Sequence, residues 1–276
     1  MNILVCVKQV PNTQEISIDP ETNTLIREGV ESILNPFDGY ALEAAAQIKD
    51  NNPEAKIYVL CMGPAQAEAT LRECLAIAAD FAFLATDRAF GGSDTLATSY
   101  ILSESIKYLQ AKEGIVFDMI FCGKQAIDGD TAQVGPQIAE MLDLGQVTCG
   151  VTCKLEGKEL HVLRETDDGT ELRAVSLPCL TTFTKPNFEV RMPSAKRKIT
   201  AKRAEITKIT TEELADINKA QLGLKGSPTK VRRTFVPQFK KAGVLLKDGT
   251  GEELAYKLAQ LLADNGILSH IEGGTL

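Results

Sequence analysis

The sequence has no tryptophan and only two histidines, His161 and His270. Chemistry of the Ser-His-Asp or Cys-His type would have to rest on one of those two imidazoles. His161 sits in an alternating stretch and His270 lies close to the C-terminus, which argues against a self-sufficient hydrolase. No catalytic residue is assigned. Aromatic residues make up only 5% of the chain, which leaves few platforms for stacking bases. Long apolar runs are missing as well: none approaches the roughly 20 residues of a membrane-spanning helix. The first residues, Met1-Asn2-Ile3-Leu4-Val5-Cys6-Val7, have no basic region ahead of an apolar stretch. They read as a strand and not as a signal peptide. Paired cysteine motifs are also absent. The seven cysteines are scattered among apolar residues, and the one close pair, Cys149 and Cys153, has no second pair beside it. They are expected to be reduced and mostly buried, without a metal, in a cytoplasmic protein.

What is present is ordinary for a globular chain of 276 residues: 44% hydrophobic and 24% charged. The net charge of −7 conceals an asymmetry. Residues 1–184 hold 13 Lys and Arg against 27 Asp and Glu, whereas residues 185–276 hold 17 against 10. Opposite signs on two segments suggest that the basic one reaches for an acidic partner.

From residue 1 to about 145, short apolar runs alternate with helical periodicity. Strands are expected at 2–7, 56–62, 81–85 and 119–122. Helices are expected from Pro36, with Asn35 as N-cap, and over 65–79, 94–110 and 131–142. Strand, loop and helix repeated four times imply a parallel sheet covered on both faces. Ligands of such sheets lie beyond the carboxyl ends of the strands. Loops 7–13, 62–64, 86–94 and 123–131 are thereby gathered round one crevice, with 35–38 placed to close its side. The stretch 16–27 reads as a small turn or hairpin. From 147 to 184 the period becomes two, as in a β-meander. Residues 185–208 then carry eight basic and two acidic residues with little apolar content, and 223–249 are rich in Gly, Pro and basic residues. Regular structure is expected to end near Pro186. Two regions follow: a nucleotide-binding α/β domain over 1–184, and a basic docking arm with a final helix near 251–265 over 185–276.

The densest motif is Cys122-Gly123-Lys124-Gln125-Ala126-Ile127-Asp128-Gly129-Asp130-Thr131-Ala132-Gln133-Val134-Gly135-Pro136. Glycines permit a tight turn, and Thr131 and Gln133 offer neutral polar groups at a helix start that favours anions. The plainer alternative is a βα loop in which Asp130 or Thr131 caps the helix. A second stretch of this kind is Phe90-Gly91-Gly92-Ser93-Asp94-Thr95-Leu96-Ala97-Thr98-Ser99, whose plainer alternative is a loop capped by Ser93 or Asp94. Neither a Walker A loop nor a G-x-G-x-x-G after the first strand occurs. The basic residues Lys196, Arg197, Lys198, Lys202 and Arg203 lack aromatic interleaving, which favours docking on a protein over nucleic acid.

In combination, V-K-Q-V-P at 7–11, N-P-F-D at 35–38, G-P-A-Q at 63–66 and G-K-Q-A-I-D-G-D-T-A-Q-V-G-P at 123–136 resemble the β subunit of electron transfer flavoproteins. The resemblance implies a Rossmann-like sheet of the adenine-nucleotide-hydrolase type, with an antiparallel β extension and a C-terminal arm. It implies pairing with an α subunit that holds a redox-active FAD. It also implies a nucleotide on this chain: AMP in electron-transferring members, a second FAD in electron-bifurcating ones. The nucleotide would touch Cys6, Asn35, Pro36, Phe37, Asp38, Met62 and the stretch from Gly123 to Val134. Partner recognition would fall near 186–202, where Ser194-Ala195-Lys196-Arg197-Lys198 lacks the leucine familiar in members that dock acyl-CoA dehydrogenases. G-D-T-A-Q-V-G-P together with Phe90, Gly91, Gly92, Asp94 and Thr95 resembles the bifurcating branch. That branch implies electrons from NADH to the β-subunit flavin, and onward to the α-subunit flavin with a dehydrogenase and to ferredoxin.

Overall fold

The computed structural model describes residues 1–12, 31–232 and 243–268. The turn expected at 16–27 and His270 lie outside them. The chain divides into two units, Met1–Thr234 and Phe235–Leu276.

In the first unit, β1 (Asn2–Val7) opens the chain. A small antiparallel ribbon follows, made of β2 (Gln9–Pro11) and β3 (Ser32–Leu34). Helix α1 (Pro36–Asn51) begins where proline can occupy the first turn without losing a hydrogen bond. Next come β4 (Lys56–Met62), α2 (Glu68–Ile77), β5 (Phe81–Ala85), α3 (Thr95–Glu113), β6 (Met119–Gly123) and α4 (Val134–Met141). The expected strands and helices of this half are therefore present, and α4 starts three residues later than expected. The antiparallel extension is β7 (Gly145–Glu156), β8 (Glu159–Thr166) and β9 (Gly169–Ser176).

The alternating region does not end as a simple meander. Strand β10 (Cys179–Phe183) leaves β9 and slots between β6 and β7, parallel to both. All five of its residues are buried. A strand covered on both faces is apolar or small throughout, so alternation could not reveal its place.

The chain beyond Pro186 also stays regular. Helix α5 (Ala195–Arg203) packs on α2, and β11 (Ile206–Ile209) pairs in parallel with β5. The nine-stranded order is β11–β5–β4–β1–β6–β10–β7–β8–β9. A short helix α6 (Gly223–Gly226) follows. Arg191 fastens the connection leading to α5. Its Nε and Nη2 donate to Glu43 of α1 at 2.8 and 3.0 Å, and Nη2 also reaches Asp50 at 2.7 Å. What composition presented as a basic arm is, up to residue 229, folded onto the sheet.

Two cores flank the sheet. On one face Ile3, Val5, Ile57, Val59 and Phe121 meet α1 and α2; on the other, Leu4, Leu60, Phe83 and Ile120 meet α3 and α4. All seven cysteines are free thiols, five of them buried and Cys149 and Cys153 half-buried.

The second unit carries α7 (Gly251–Asp264), started by a reciprocal capping box between Thr250 and Glu253. No residue of α7 is buried, although Leu254, Leu258, Leu261 and Leu262 recur at helical spacing. Among the described residues no helix is long and apolar enough to cross a membrane.

Candidate functional site

Beyond the carboxyl ends of β1, β4, β5 and β6 lies a cavity of about 530 Å³, within the usual range for a small-molecule site. Its framework starts at Asp38, in the first turn of α1. One carboxylate oxygen accepts from Lys8 N–H at 2.7 Å and the other from Gly123 N–H at 3.1 Å. The side chain thus ties the ends of β1 and β6 together. Burial pushes its carboxyl up to about 7, while hydrogen bonds from Asn35, Lys8 and Gly123 and the Lys8 charge pull the other way. Gly123 has no room for a larger residue: a Cβ there would collide with Asp38 and with Phe37.

Asn35 precedes α1 but does not cap it with its side chain. Its amide turns to the 123–135 loop instead, donating to Gln125 O at 2.8 Å and accepting from Ile127 N–H at 3.2 Å. Lys124 N–H rests on Phe183 O at 2.7 Å, which fixes the loop to β10. Asp128 pairs with Lys8 at 2.6 Å, so one of the loop's two aspartates is already neutralised. The chain then passes through Ala132 at a φ of 54°, a left-handed conformation that costs a non-glycine residue about 1 kcal/mol. Helix α4 follows at Val134 with Gln133 as its N-cap residue and no side-chain cap. Neither Asp130 nor Thr131 caps it, and Thr131 and Gln133 precede the helix instead of opening it. Gly135 presses on β10, where a Cβ would lie 2.5 Å from Thr182 Cγ2.

The 90–95 loop forms the opposite side. Phe90 is buried, Gly92 has a φ of 73°, and Asp94 caps α3 by accepting from Ala97 N–H at 3.1 Å. Desolvation would raise the Asp94 carboxyl, but hydrogen bonds from Thr229, Ala97 and Leu96 hold it below the usual range. The two loops meet where Thr95 Oγ1 donates to Gln133 Oε1 at 2.8 Å.

Of the expected contact residues, the cavity brings together Cys6, Asn35, Asp38, Met62, Phe90, Gly91, Gly92, Asp94, Thr95, Gly123, Lys124, Gln125, Ala126, Gly129, Thr131, Ala132, Gln133 and Val134. Pro36, Phe37, Ile127, Asp128 and Asp130 do not line it. Pro36 starts a helix, Phe37 stacks edge-on to Tyr40, and Asp128 is turned to Lys8. Asp87, in the 86–94 loop, and Thr98, in the second motif, line it as well, and so does Leu102, which lies beyond both. Thr98 and Leu102 follow Thr95 at three and seven residues, on one face of α3, a spacing that the sequence displays.

Comparison with known proteins agrees with this architecture. The electron transfer flavoprotein domain matches residues 22–214. The chain is 51% identical to the electron transfer flavoprotein subunit beta of Megasphaera elsdenii, over 90% of this chain and 92% of that one. It is 47% identical to the caffeyl-CoA reductase-Etf complex subunit CarD of Acetobacterium woodii, covering 97% and 100% respectively. With the protein FixA of Sinorhizobium fredii the identity is 46%, over 86% and 84%. With a mostly parallel sheet, a crevice at its carboxyl edge and a match to these proteins along most of its length, the chain belongs to the electron transfer flavoprotein family as a β subunit.

Proposed function

We propose that this β subunit belongs to the electron-bifurcating branch. It would hold FAD in the crevice, accept electrons from NADH on the 90–95 side, and deliver them along two routes. One leads to the α-subunit FAD and a flavin-dependent dehydrogenase, the other to ferredoxin. The observation that carries this reading is the single cavity reaching both glycine-containing loops. The 123–135 side would hold the FAD and the 90–95 side the approaching NADH, whereas a resident mononucleotide alone would need only one of them.

The residues present fit such a group. The 123–135 side offers neutral polar groups, Thr131 and Gln133, to a pyrophosphate, and the Lys8 pair offsets Asp128. Asp38, its carboxyl pushed up to about 7 by burial, holds the strand ends in place without presenting a full negative charge. The half-buried Met62 supplies apolar surface to the FAD, and the ring of Phe90 lines the side where NADH would approach. When bound, FAD supplies the electron-transfer chemistry, and the chain supplies position and electrostatics. β subunits of this family pair with an α subunit and work in complexes with dehydrogenases. The name of the A. woodii relative, a subunit of a reductase-Etf complex, supports a dehydrogenase-type partner here.

The test is extraction of nucleotides from the purified αβ heterodimer, followed by NADH titration. Two FAD per heterodimer with rapid bleaching by NADH supports the proposal. One FAD and one AMP, with no bleaching, overturns it.

A further inference from the structure

Residues 222–229 line none of the crevice, yet they lie directly behind its 90–95 loop. Three sets of contacts join them. Asp94 N–H donates to Ser227 Oγ at 2.8 Å, and Ser227 Oγ donates in turn to Gly223 O at 2.7 Å, closing the α6 turn. Thr229 donates twice to Asp94 Oδ2, from its N–H at 2.9 Å and from its Oγ1 at 2.7 Å. Two left-handed glycines are fitted against the facing segment. At Gly92 a Cβ would lie 2.6 Å from Leu224 Cγ, and at Gly223 one would lie 2.5 Å from Ala89 O and 2.9 Å from Gly91 O.

The Asp94 carboxylate is thus fully used. One oxygen caps α3 and the other holds Thr229, which leaves little acceptor capacity for a sugar hydroxyl. Leu222 is buried in the core and anchors the start of the segment, whereas Leu224 is 66% exposed. Beyond Leu222 the segment is held by hydrogen bonds to Asp94 and by close glycine packing. A loop built on left-handed glycine would otherwise sample several conformations, and the contacts from behind select one.

We infer that residues 222–229 are a brace that fixes the 90–95 loop in its binding conformation, with Asp94 as the positioning residue through which the brace acts. This rests on the reading that the 90–95 loop faces the pyridine dinucleotide. The brace would then set the affinity for NADH while leaving FAD retention and the electron-transfer step alone. Release of the brace makes the dinucleotide pay the ordering cost of the loop on binding.

The experiment compares the αβ heterodimer carrying Thr229→Val or Thr229→Ser with the unmodified protein. Thr229 is exposed, so both variants fold. FAD content, the kcat and KM for NADH-dependent reduction, and hydrogen exchange of amides 89–95 are measured together. Expected for Thr229→Val are full FAD content, a kcat within twofold, a KM raised at least fivefold, and exchange at 89–95 at least tenfold faster. Thr229→Ser should restore the unmodified values. An unchanged KM with full FAD content overturns the brace. If the unmodified heterodimer shows no NADH response, the functional reading of the loop fails instead. Exchange at 89–95 then decides the brace alone, and an unchanged rate in Thr229→Val overturns it.

Discussion

Arg72 and Arg197 each close the other's helix. Arg72, on α2, donates to the last carbonyls of α5: Ala201 O at 2.8 Å, Ala204 O at 3.1 Å and Lys202 O at 3.3 Å. Arg197, on α5, donates to the end of α2, reaching Leu75 O at 3.0 Å and Ala79 O at 2.6 Å. Helix C-termini carry unsatisfied carbonyls and partial negative charge, so a guanidinium there serves as both cap and counter-charge. One member of the basic run is therefore structural.

That distinction is measurable. Arg72→Ala and Arg197→Ala should each lower stability by about 1–3 kcal/mol, as expected for lost charge-assisted hydrogen bonds. Replacing Lys196, Lys198 and Lys202, which are exposed, with neutral residues should change it by less than about 0.5 kcal/mol. The lysine variant should instead weaken partner docking at low ionic strength, where exposed charges are least screened. Urea denaturation separates the two classes, and equal destabilisation would contradict the assignment.

The glycines of the 123–135 loop should differ sharply. Gly123→Ala forces a Cβ into Asp38 and Phe37, and should cost several kcal/mol together with loss of bound nucleotide. Gly129→Ala meets no protein atom within 4 Å and has no positive φ, so stability should hold within about 0.5 kcal/mol. Thermal melts of the two variants check the contrast, and any nucleotide loss in Gly129→Ala would then report ligand contact alone.

Arg191→Ala should leave Glu43, only 5% exposed at its side chain, without its guanidinium. A stranded buried carboxylate costs roughly 3–5 kcal/mol, reduced here because Arg191 itself is about a third exposed. Lysine offers no two-pronged donor, so Arg191→Lys should recover only part of the loss. A chemical-denaturation series covering both variants tests the order.

Asp38 gives the fold a pH dependence of defined sign. Its carboxyl stays protonated up to about 7 when folded, against 3.8 as the ordinary value. The folded state therefore binds more protons between those values, and stability from this group falls as pH rises through that window. The full change is about 4 kcal/mol. Asp38→Asn is neutral throughout, so unmodified protein should lose stability relative to the variant from pH 4 to 7.5. A difference that stays constant with pH would contradict this. Anionic ligands should likewise bind more tightly on the acid side of the window.

The α/β half was legible because its strands and helices are separated by strong local signals, such as Asn35-Pro36 before α1 and Asp94 before α3. The loops of the crevice could be gathered for the same reason. Contacts between distant segments left no such mark. Asn35 looks like a helix cap, yet its amide serves Gln125 and Ile127, some ninety residues away. Ile206 and Ile209 of β11 face opposite sides of the sheet and join different cores, so no alternation marked the strand. Asp94 showed its capping role and not its hold on Thr229, because the partner lies in a segment that composition presented as loose.

The slot taken by β10 imposes an order on assembly. The chain leaves the sheet after β6, builds α4 and the three antiparallel strands, and only then returns to fill the gap. A nascent chain synthesised only as far as β9 still presents the open side of β6, an unpaired edge of the kind that recruits foreign strands. The 123–135 side of the crevice matures at the same moment, since Lys124 N–H finds Phe183 O only when β10 is in place. Arrival of this one strand therefore closes the open side of β6 and fastens that wall of the crevice together.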